Sequence, residues 1–465
     1  MEREYEVEKC RHEITKTMND VIPVHTVQIN SLTPNGAYRL LKDILNVLIS
    51  KLAYGDLAIL KVGDVVHVKL SGDGRQVGKH HNHVMFTACI LNQHDAVLSP
   101  SNQHCIFLYS GIEQYESLQQ AFSFLIEDLL TLNTEGITDS NNNHWPIEFW
   151  FGSDWKFMSL VLGIKGPTAV HFCLYCNCKN TDRWNMDLDY ENSCNTLGRK
   201  NSNLLPFLEN QHCIPDELHV MLRITDVLFE CLFLELSTEP AFNRRSKNNT
   251  ATIREQVELT IHSLGINVFK FKEPETSKGK WHWTSLMGPD KLVLLEKFPI
   301  ELFVPGQRGK DIQTLWHEFY FLYQTMRKSD LTDDDIIKFE TSARQWVKNF
   351  CRPTIETKEG KILQVGLYHR DDVTPYMHVL ACHIPKFIKY LKTKKLSLRW
   401  FSCSGVEKKN HNHVQLFYGG TTIGGGNSLK SVAYEICSYE NRQLYYQINE
   451  TPLSYSKKTI NFKLK

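Results

Sequence analysis

Two aspartates, a cysteine pair and a histidine pair have the types and spacing that could do chemistry in this sequence. Asp73 stands in Ser71-Gly72-Asp73-Gly74, at the end of the alternating run Val65–Leu70. Asp154 stands in Gly152-Ser153-Asp154, just past the short aromatic run Ile147–Phe151. Alone, each aspartate is more often a turn residue than a ligand. Together they differ, because open α/β sheets gather their chemistry at strand ends. Two carboxylates meeting there, with few bases nearby, are hard-oxygen ligands suited to Mg²⁺ or Mn²⁺. A third carboxylate on a helix beside them would complete a two-metal site for phosphodiester chemistry.

Cys173 and Cys176 form a Cys-x-x-Cys pair that begins nineteen residues after Asp154 (173 − 154 = 19). A closed tetrahedral zinc site needs two more ligands. His378 and His383, five apart, have the spacing that zinc sites use, although such a pair on a helix is more often surface or core. Cys178, Cys194, His212 and Cys213 are closer in sequence and stand as rival ligands. If the cysteine and histidine pairs share one zinc, that ion closes everything between them into a loop.

The elements that must position these residues follow from periodicity. Gly36–Leu52 carries apolar residues at helical spacing and reads as an amphipathic helix docked on the core or on a second subunit. Strands are expected at Val65–Leu70, His83–Leu91, Cys105–Tyr109, Ile147–Phe151 and Ala169–Phe172, with helices at Ser117–Leu132 and Trp155–Leu162. Three strands followed by alternating helix and strand suggest a mixed α/β sheet with helices on its faces. From Pro215 to about Val365 the pattern is almost wholly helical, with helices at Leu218–Leu236, Ile253–Leu264, Asp290–Phe298, Asp311–Arg327 and Asp333–Phe350. Tyr376–Leu391 and Glu407–Tyr418 are further helices. Residues 178–198, rich in Asn, Asp and Gly, read as a loop.

Composition sets outer limits. No run of eighteen or more apolar residues is present, so no membrane-spanning helix is expected. The charged start Met1-Glu2-Arg3-Glu4 lacks the apolar stretch of a secretory signal. The 13 cysteines therefore read as free thiols and metal ligands in a reducing compartment, nucleus or cytosol. With 53 basic against 52 acidic residues, any nucleic-acid contact must come from local patches. Arg244-Arg245-Ser246-Lys247 and the lysines from Lys386 to Lys409 are the candidates, as is Lys79-His80-His81-Asn82-His83; each run could equally be a solvated face. His-Asn-His occurs at 81–83 and 411–413 without the context of a nuclease motif. The glycines at 419–426 lack the Gly-Lys-Ser/Thr ending of a phosphate loop.

These residues resemble a known family. Gly152-Ser153-Asp154, Cys173-x-x-Cys176, a helical insertion, His378-x₄-His383-Ile384-Pro385 and Trp400–Asn410 together look like the catalytic core of the Transib transposases and the V(D)J recombinase. Lys69–Gly74 followed by His83–Thr87 is similar to the family's first aspartate and next strand; Leu218-His219 and Trp283–Pro289 are related less specifically. The resemblance covers roughly residues 63–445. It implies an α/β fold with an RNase H-like mixed sheet flanked by helices, interrupted by a large all-helical insertion pinned by a zinc site. It implies an Asp73, Asp154, Glu407 triad holding two Mg²⁺ or Mn²⁺ ions, and a structural Zn²⁺ on Cys173, Cys176, His378 and His383. The implied activity is DNA strand hydrolysis and strand transfer in the nucleus, on transposon ends and target DNA, by a homodimer with or without an accessory recombinase subunit. The matching division is 1–62 as an N-terminal helical segment for docking, dimerisation or DNA contact, 63–177 and 371–445 as two parts of the core, 178–370 as the insertion and 446–465 as a tail. The alternative is a domesticated or decayed transposase, a DNA- or protein-binding zinc protein without catalysis.

Overall fold

The computed structural model describes residues 2–55, 58–78, 81–191, 195–245, 251–275, 279–357, 359–423 and 431–449. Cys194, Lys79, His80, Lys247, the glycines at 424–426 and most of the expected tail lie outside that set. The chain divides into a sheet unit, Met1–Gly166 with Arg199–Ile214 and Trp400–Lys465, and a helical unit, Pro167–Gly198 with Pro215–Arg399. The segment with Cys173 and Cys176 thus belongs to the same unit as His378 and His383, while residues 199–214 return to the sheet.

The sheet unit begins with helix α1 (Glu2–Val21), strands β1 (His25–Val27) and β2 (Gly36–Tyr38) and helix α2 (Leu41–Tyr54). The expected helix from Gly36 therefore starts five residues later, because Gly36–Tyr38 pairs with a strand instead. A long hairpin follows, β3 (Val66–Gly78) and β4 (His81–Ile90), then β5 (His104–Ser110). Next come α3 (Tyr115–Ser123), α4 (Ile126–Glu135), a small ribbon β6 (Ile137–Thr138) with β7 (His144–Trp145), strand β8 (Ile147–Phe151) and α5 (Trp155–Leu162). The stretch expected as one helix from Ser117 is two, broken at Phe124 and Leu125. The sheet has six strands in the order β1-β2-β5-β4-β3-β8. Every neighbouring pair is antiparallel except β3 and β8, which run parallel with Leu70 opposite Phe151.

β3 runs straight through the Gly-Asp-Gly that reads as a turn, so Asp73 lies within the strand, opposite Met85. The glycines serve packing rather than turning. A Cβ on Gly72 would fall 1.9 Å from Phe157 Cζ, and one on Gly74 would fall 2.2 Å from Glu113 Oε2. Ala169–Phe172 is not a strand. The outer edge of β8 is met instead by a single parallel bridge from Phe151 to Cys213, with Ile214 N donating to Phe151 O at 2.8 Å.

The helical unit contains α6 (Glu217–Thr238), α7 (Ile253–Ser263), the two-residue ribbon β9 (Phe271–Lys272) with β10 (His282–Trp283), α8 (Gly288–Lys297), α9 (Gln307–Met326) and α10 (Asp333–Phe350). A second ribbon, β11 (Ile355–Glu356) with β12 (Ile362–Gln364), precedes α11 (Pro375–Cys382) and α12 (Ile384–Thr393). Thr252 and Thr332 start α7 and α10 with reciprocal capping boxes. Phe229, Phe233, Trp316, Phe319 and Trp346 are buried at the centre. The expected Tyr376–Leu391 helix is interrupted at His383.

The chain returns to the sheet unit with α13 (Ser404–Gly420) and α14 (Val432–Ile448). Val406 of α13 and Ala433, Ile436 and Cys437 of α14 pack on Ala37, Met85, Cys105 and Leu108 of the sheet. Among the described residues no helix is long and apolar enough to cross a membrane.

Candidate metal centres

Within the helical unit, Cys173, Cys176, His378 and His383 converge. Their ligand atoms all lie within 4.8 Å of one another, and all four side chains are buried. Cys173 Sγ and His383 Nε2 are 3.4 Å apart, as are Cys176 Sγ and His378 Nε2, and the two Nε2 atoms are 3.2 Å apart. Tetrahedral zinc with bonds of about 2.3 Å to sulfur and 2.0–2.1 Å to nitrogen separates such atoms by about 3.5 Å and 3.3 Å. The group fits that ion.

Local structure explains the convergence. The cysteine loop is folded around Asn195, whose Nδ2 donates to Cys173 O at 2.5 Å and His171 O at 3.1 Å. Tyr175 N donates to Cys173 Sγ at 3.4 Å, which helps to fix the position of the sulfur. On the histidine side, an unbroken helix would turn residues five apart about 140° away from each other. Pro385 prevents that. It has no N–H for the Ala381 carbonyl, and the helix breaks at His383, with φ −119° and ψ −42°. The break brings the second imidazole round to the first. Burial, and then His378 beside it, hold the His383 ring neutral, with its lone pair available.

Of the rival ligands, Cys178 is buried beside the group and interacts with Cys176 and His378, but its Sγ also donates to Lys179 O at 3.3 Å and it falls outside the convergent four. His212 Nε2 is 3.2 Å from Glu148 Oε1 in the sheet unit, and Cys213 sits in the bridge to β8.

In the sheet unit, the acidic residues occupy neighbouring elements. Ser71 Oγ donates to Gly152 O at 2.6 Å, and Ser153 Oγ bonds to Gly72 O, so the ends of β3 and β8 are stitched side by side. That places Asp154 next to the strand that carries Asp73. Asp154 caps α5, its Oδ1 accepting from Phe157 N at 2.6 Å. Asp73 Oδ2 accepts from Asn410 Nδ2 at 2.7 Å. Glu407 is in the first turn of α13, three residues before Asn410, and residues three apart share a helix face. So the helix of Glu407 is tied to Asp73 by its next turn. Among the described residues, the Cys/His quartet is the group whose ligand atoms gather within 4.8 Å of one another.

A fourth carboxylate, unmarked in the sequence, joins them. Glu113 follows β5, its side chain only 8 % exposed, with Oε1 3.4 Å from Lys156 Nζ. Burial pushes its pKa up to about 7; Asp154 adds to the rise, Lys156 opposes it and Asp73 contributes last. No local motif announces Glu113, which is brought in by the sheet. Crowding of this kind is what a cation would relieve.

The basic stretch from Lys386 to Lys409 is partly committed. Lys386 pairs with Asp189 at 3.2 Å, Lys392 with Asp333 at 2.7 Å, and Lys409 is buried against Glu440 at 2.5 Å. Lys409 is therefore a packing residue rather than a phosphate contact. Arg245 pairs with Glu255 at 3.1 Å. The sequence matches no protein-family model, and no curated protein is similar to it.

Proposed function

We propose that this chain is a DDE-type transposase or recombinase that hydrolyses a DNA strand and joins the freed 3′-hydroxyl to another phosphate. The reading is carried by one observation: the Asn410–Asp73 hydrogen bond brings the helix of Glu407 to the strand that β8, with Asp154 at its end, flanks in parallel. The antiparallel β5-β4-β3 run with β8 beside β3 also suits an RNase H-like sheet. Asp73, Asp154 and Glu407 would hold two Mg²⁺ or Mn²⁺ ions, with Glu113 close enough to add negative charge. Such ions, when bound, activate an attacking oxygen and stabilise a leaving one. The chain's own part is to hold the carboxylates in place, through the Asp154 cap, the Asn410 donor and the serine stitches. A structural zinc on Cys173, Cys176, His378 and His383 would secure the helical unit. DNA ends and target are the proposed partners, in a nuclear homodimer.

The test is nicking and joining of a duplex carrying the element's terminal repeats, in Mn²⁺ and in Mg²⁺. Asp73→Asn and Glu407→Gln should each lower strand transfer by several orders of magnitude while DNA binding and zinc content persist. Equal nicking by wild type and Glu407→Gln would remove Glu407 from the triad. The second reading, a zinc protein that binds DNA or protein without catalysis, is favoured by the buried Cys/His quartet, which could hold a zinc ion by itself. Wild-type protein that binds those ends and never nicks them selects it.

A further inference from the structure

We infer that Glu440 is a positioning residue for the carboxylate site, setting the placement of α13 and through it of Glu407 and Asn410. The inference rests on the metal-site reading above.

The contacts divide α13 into two working sides. At about 100° per residue, Glu407 and Asn410 lie about 60° apart, and Lys409 and His413 lie about 40° apart on the far side of the helix from Glu407, with Asn410 between, about 60° from His413 as well. The first side meets Asp73 through Asn410. The second is held by a single carboxylate of α14: Glu440 Oε2 is 2.5 Å from Lys409 Nζ, and Oε1 is 3.0 Å from His413 Nε2. All three side chains are buried, Glu440 and Lys409 at 6 % and His413 at 2 % exposure. The next residue of α14, Asn441, accepts from Arg39 Nη1 at 2.7 Å, and Arg39 Nε donates to Cys105 O at 2.9 Å on β5. α14 is thus fixed to the sheet, and Glu440 transmits that fixed reference to α13.

A buried ion pair is a poor source of stability, since desolvation offsets much of the attraction. Apolar side chains would glue two helices as well. What the clasp adds is a defined height and rotation for α13, in a helix whose adjacent face must reach a carboxylate on β3. Lys409 sits between Glu407 and Asn410 in sequence, so a slip of the pair moves both neighbours. Outer partners of metal ligands typically alter metal affinity 10–100-fold when removed.

The probe is Mn²⁺ alone, titrated into zinc-loaded full-length protein and followed by electron paramagnetic resonance, with thermal melting and zinc content measured on the same samples. Asp73→Asn identifies the relevant Mn²⁺ by abolishing its binding. Glu440→Gln, matched in size, should weaken that Mn²⁺ about tenfold with zinc unchanged. Should the uncompensated Lys409 charge prevent folding, Glu440→Asp keeps the charge and shortens the reach by one methylene; about a threefold loss is then expected. A merely structural role would lower the melting temperature and leave the affinity of the folded protein alone. Wild-type Mn²⁺ affinity in a folded Glu440 variant overturns the assignment of Glu440 while leaving the site intact. Mn²⁺ binding that ignores Asp73→Asn overturns the site and Glu440 together.

Discussion

Asn410 Nδ2 lies 2.7 Å from Asp73 Oδ2 and joins the first turns of α13 to the middle of β3 across more than three hundred residues of chain. The carboxamide is buried, at 1 % exposure, and its acceptor Asp73 is half-buried. Hydrogen bonds to carboxylates are the stronger kind, and this one orients Asp73. Replacing Asn410 by leucine keeps the bulk and removes the donor. We expect Mn²⁺ affinity and strand nicking to fall about tenfold or more, with zinc content unchanged. Nicking at the wild-type rate in Asn410→Leu would show that Asp73 needs no such support.

The second prediction concerns pH and Glu113. Its pKa in the folded chain is about 7, above an ordinary value of 4.5, chiefly because of burial and then of Asp154. The protonated form therefore favours the fold. That contribution is complete below about pH 4.5 and is lost as pH rises through about 7. Glu113→Gln imitates the protonated carboxyl at every pH. Without added divalent ions it should be more stable than wild type by roughly 1–3 kcal/mol at pH 8 and nearly equal at pH 4.5. Urea unfolding followed by tryptophan fluorescence at the two pH values measures the difference. A constant gap across that range would contradict the raised pKa.

The third prediction separates the zinc ligands from their neighbour. Cys178→Ser should retain one zinc per chain by atomic emission, because Cys178, although beside Cys176 and His378, stands outside the convergent four. Cys173→Ser should lose the ion and much of the stability of the helical unit, since metal binding of this type is coupled to folding. Pro385→Ala is the subtler variant. With the missing N–H restored, α11 and α12 can run on as one helix, and His383 rotates away from His378. Zinc affinity should drop about tenfold although no ligand has been touched. Unchanged affinity would mean that the break at His383 is set by the ligands rather than by the proline.

A fourth prediction tests why Asp73 can sit inside a strand. Gly72→Ala would place a methyl 1.9 Å from the Phe157 ring. Overpacking of a buried contact typically costs about 1–3 kcal/mol, and the melting temperature should fall accordingly. Trimming the ring with Phe157→Leu in the same chain should return part of the loss. If Gly72→Ala alone melts like wild type, β3 and α5 are less tightly apposed than described.

The zinc group was the most legible part of this chain, since cysteines at i and i+3 and histidines at i and i+5 are rare enough to notice. Their choice over Cys178 and His212 was not, because that depends on the kink at His383 and on which unit each residue joins. The long amphipathic helices from 217 to 350 were legible through their apolar period. β1 and β2 were not: three residues are too few to show an alternation. Asp73 was found for its type and placed wrongly, because Gly-Asp-Gly carries a turn signal, whereas its glycines answer to Phe157 and Glu113 on other elements. Glu113 itself could be seen only after folding, for nothing beside it in the chain marks it out.

The route of the chain has a consequence for its synthesis. The face of β2, β4 and β5 carrying Ala37, Met85, Cys105 and Leu108 is covered by Val406, Ala433, Ile436 and Cys437. A ribosome finishes those strands well before it reaches the helices that cover them. At about 5–20 residues per second the interval is on the order of tens of seconds. During it the helical unit can form its own core, while the sheet waits with an apolar face and no lid. A nascent or prematurely terminated chain is therefore a natural client for chaperones that hold exposed strands, and expression yield should depend on the last fifty described residues more than on any stretch of equal length within the helical unit.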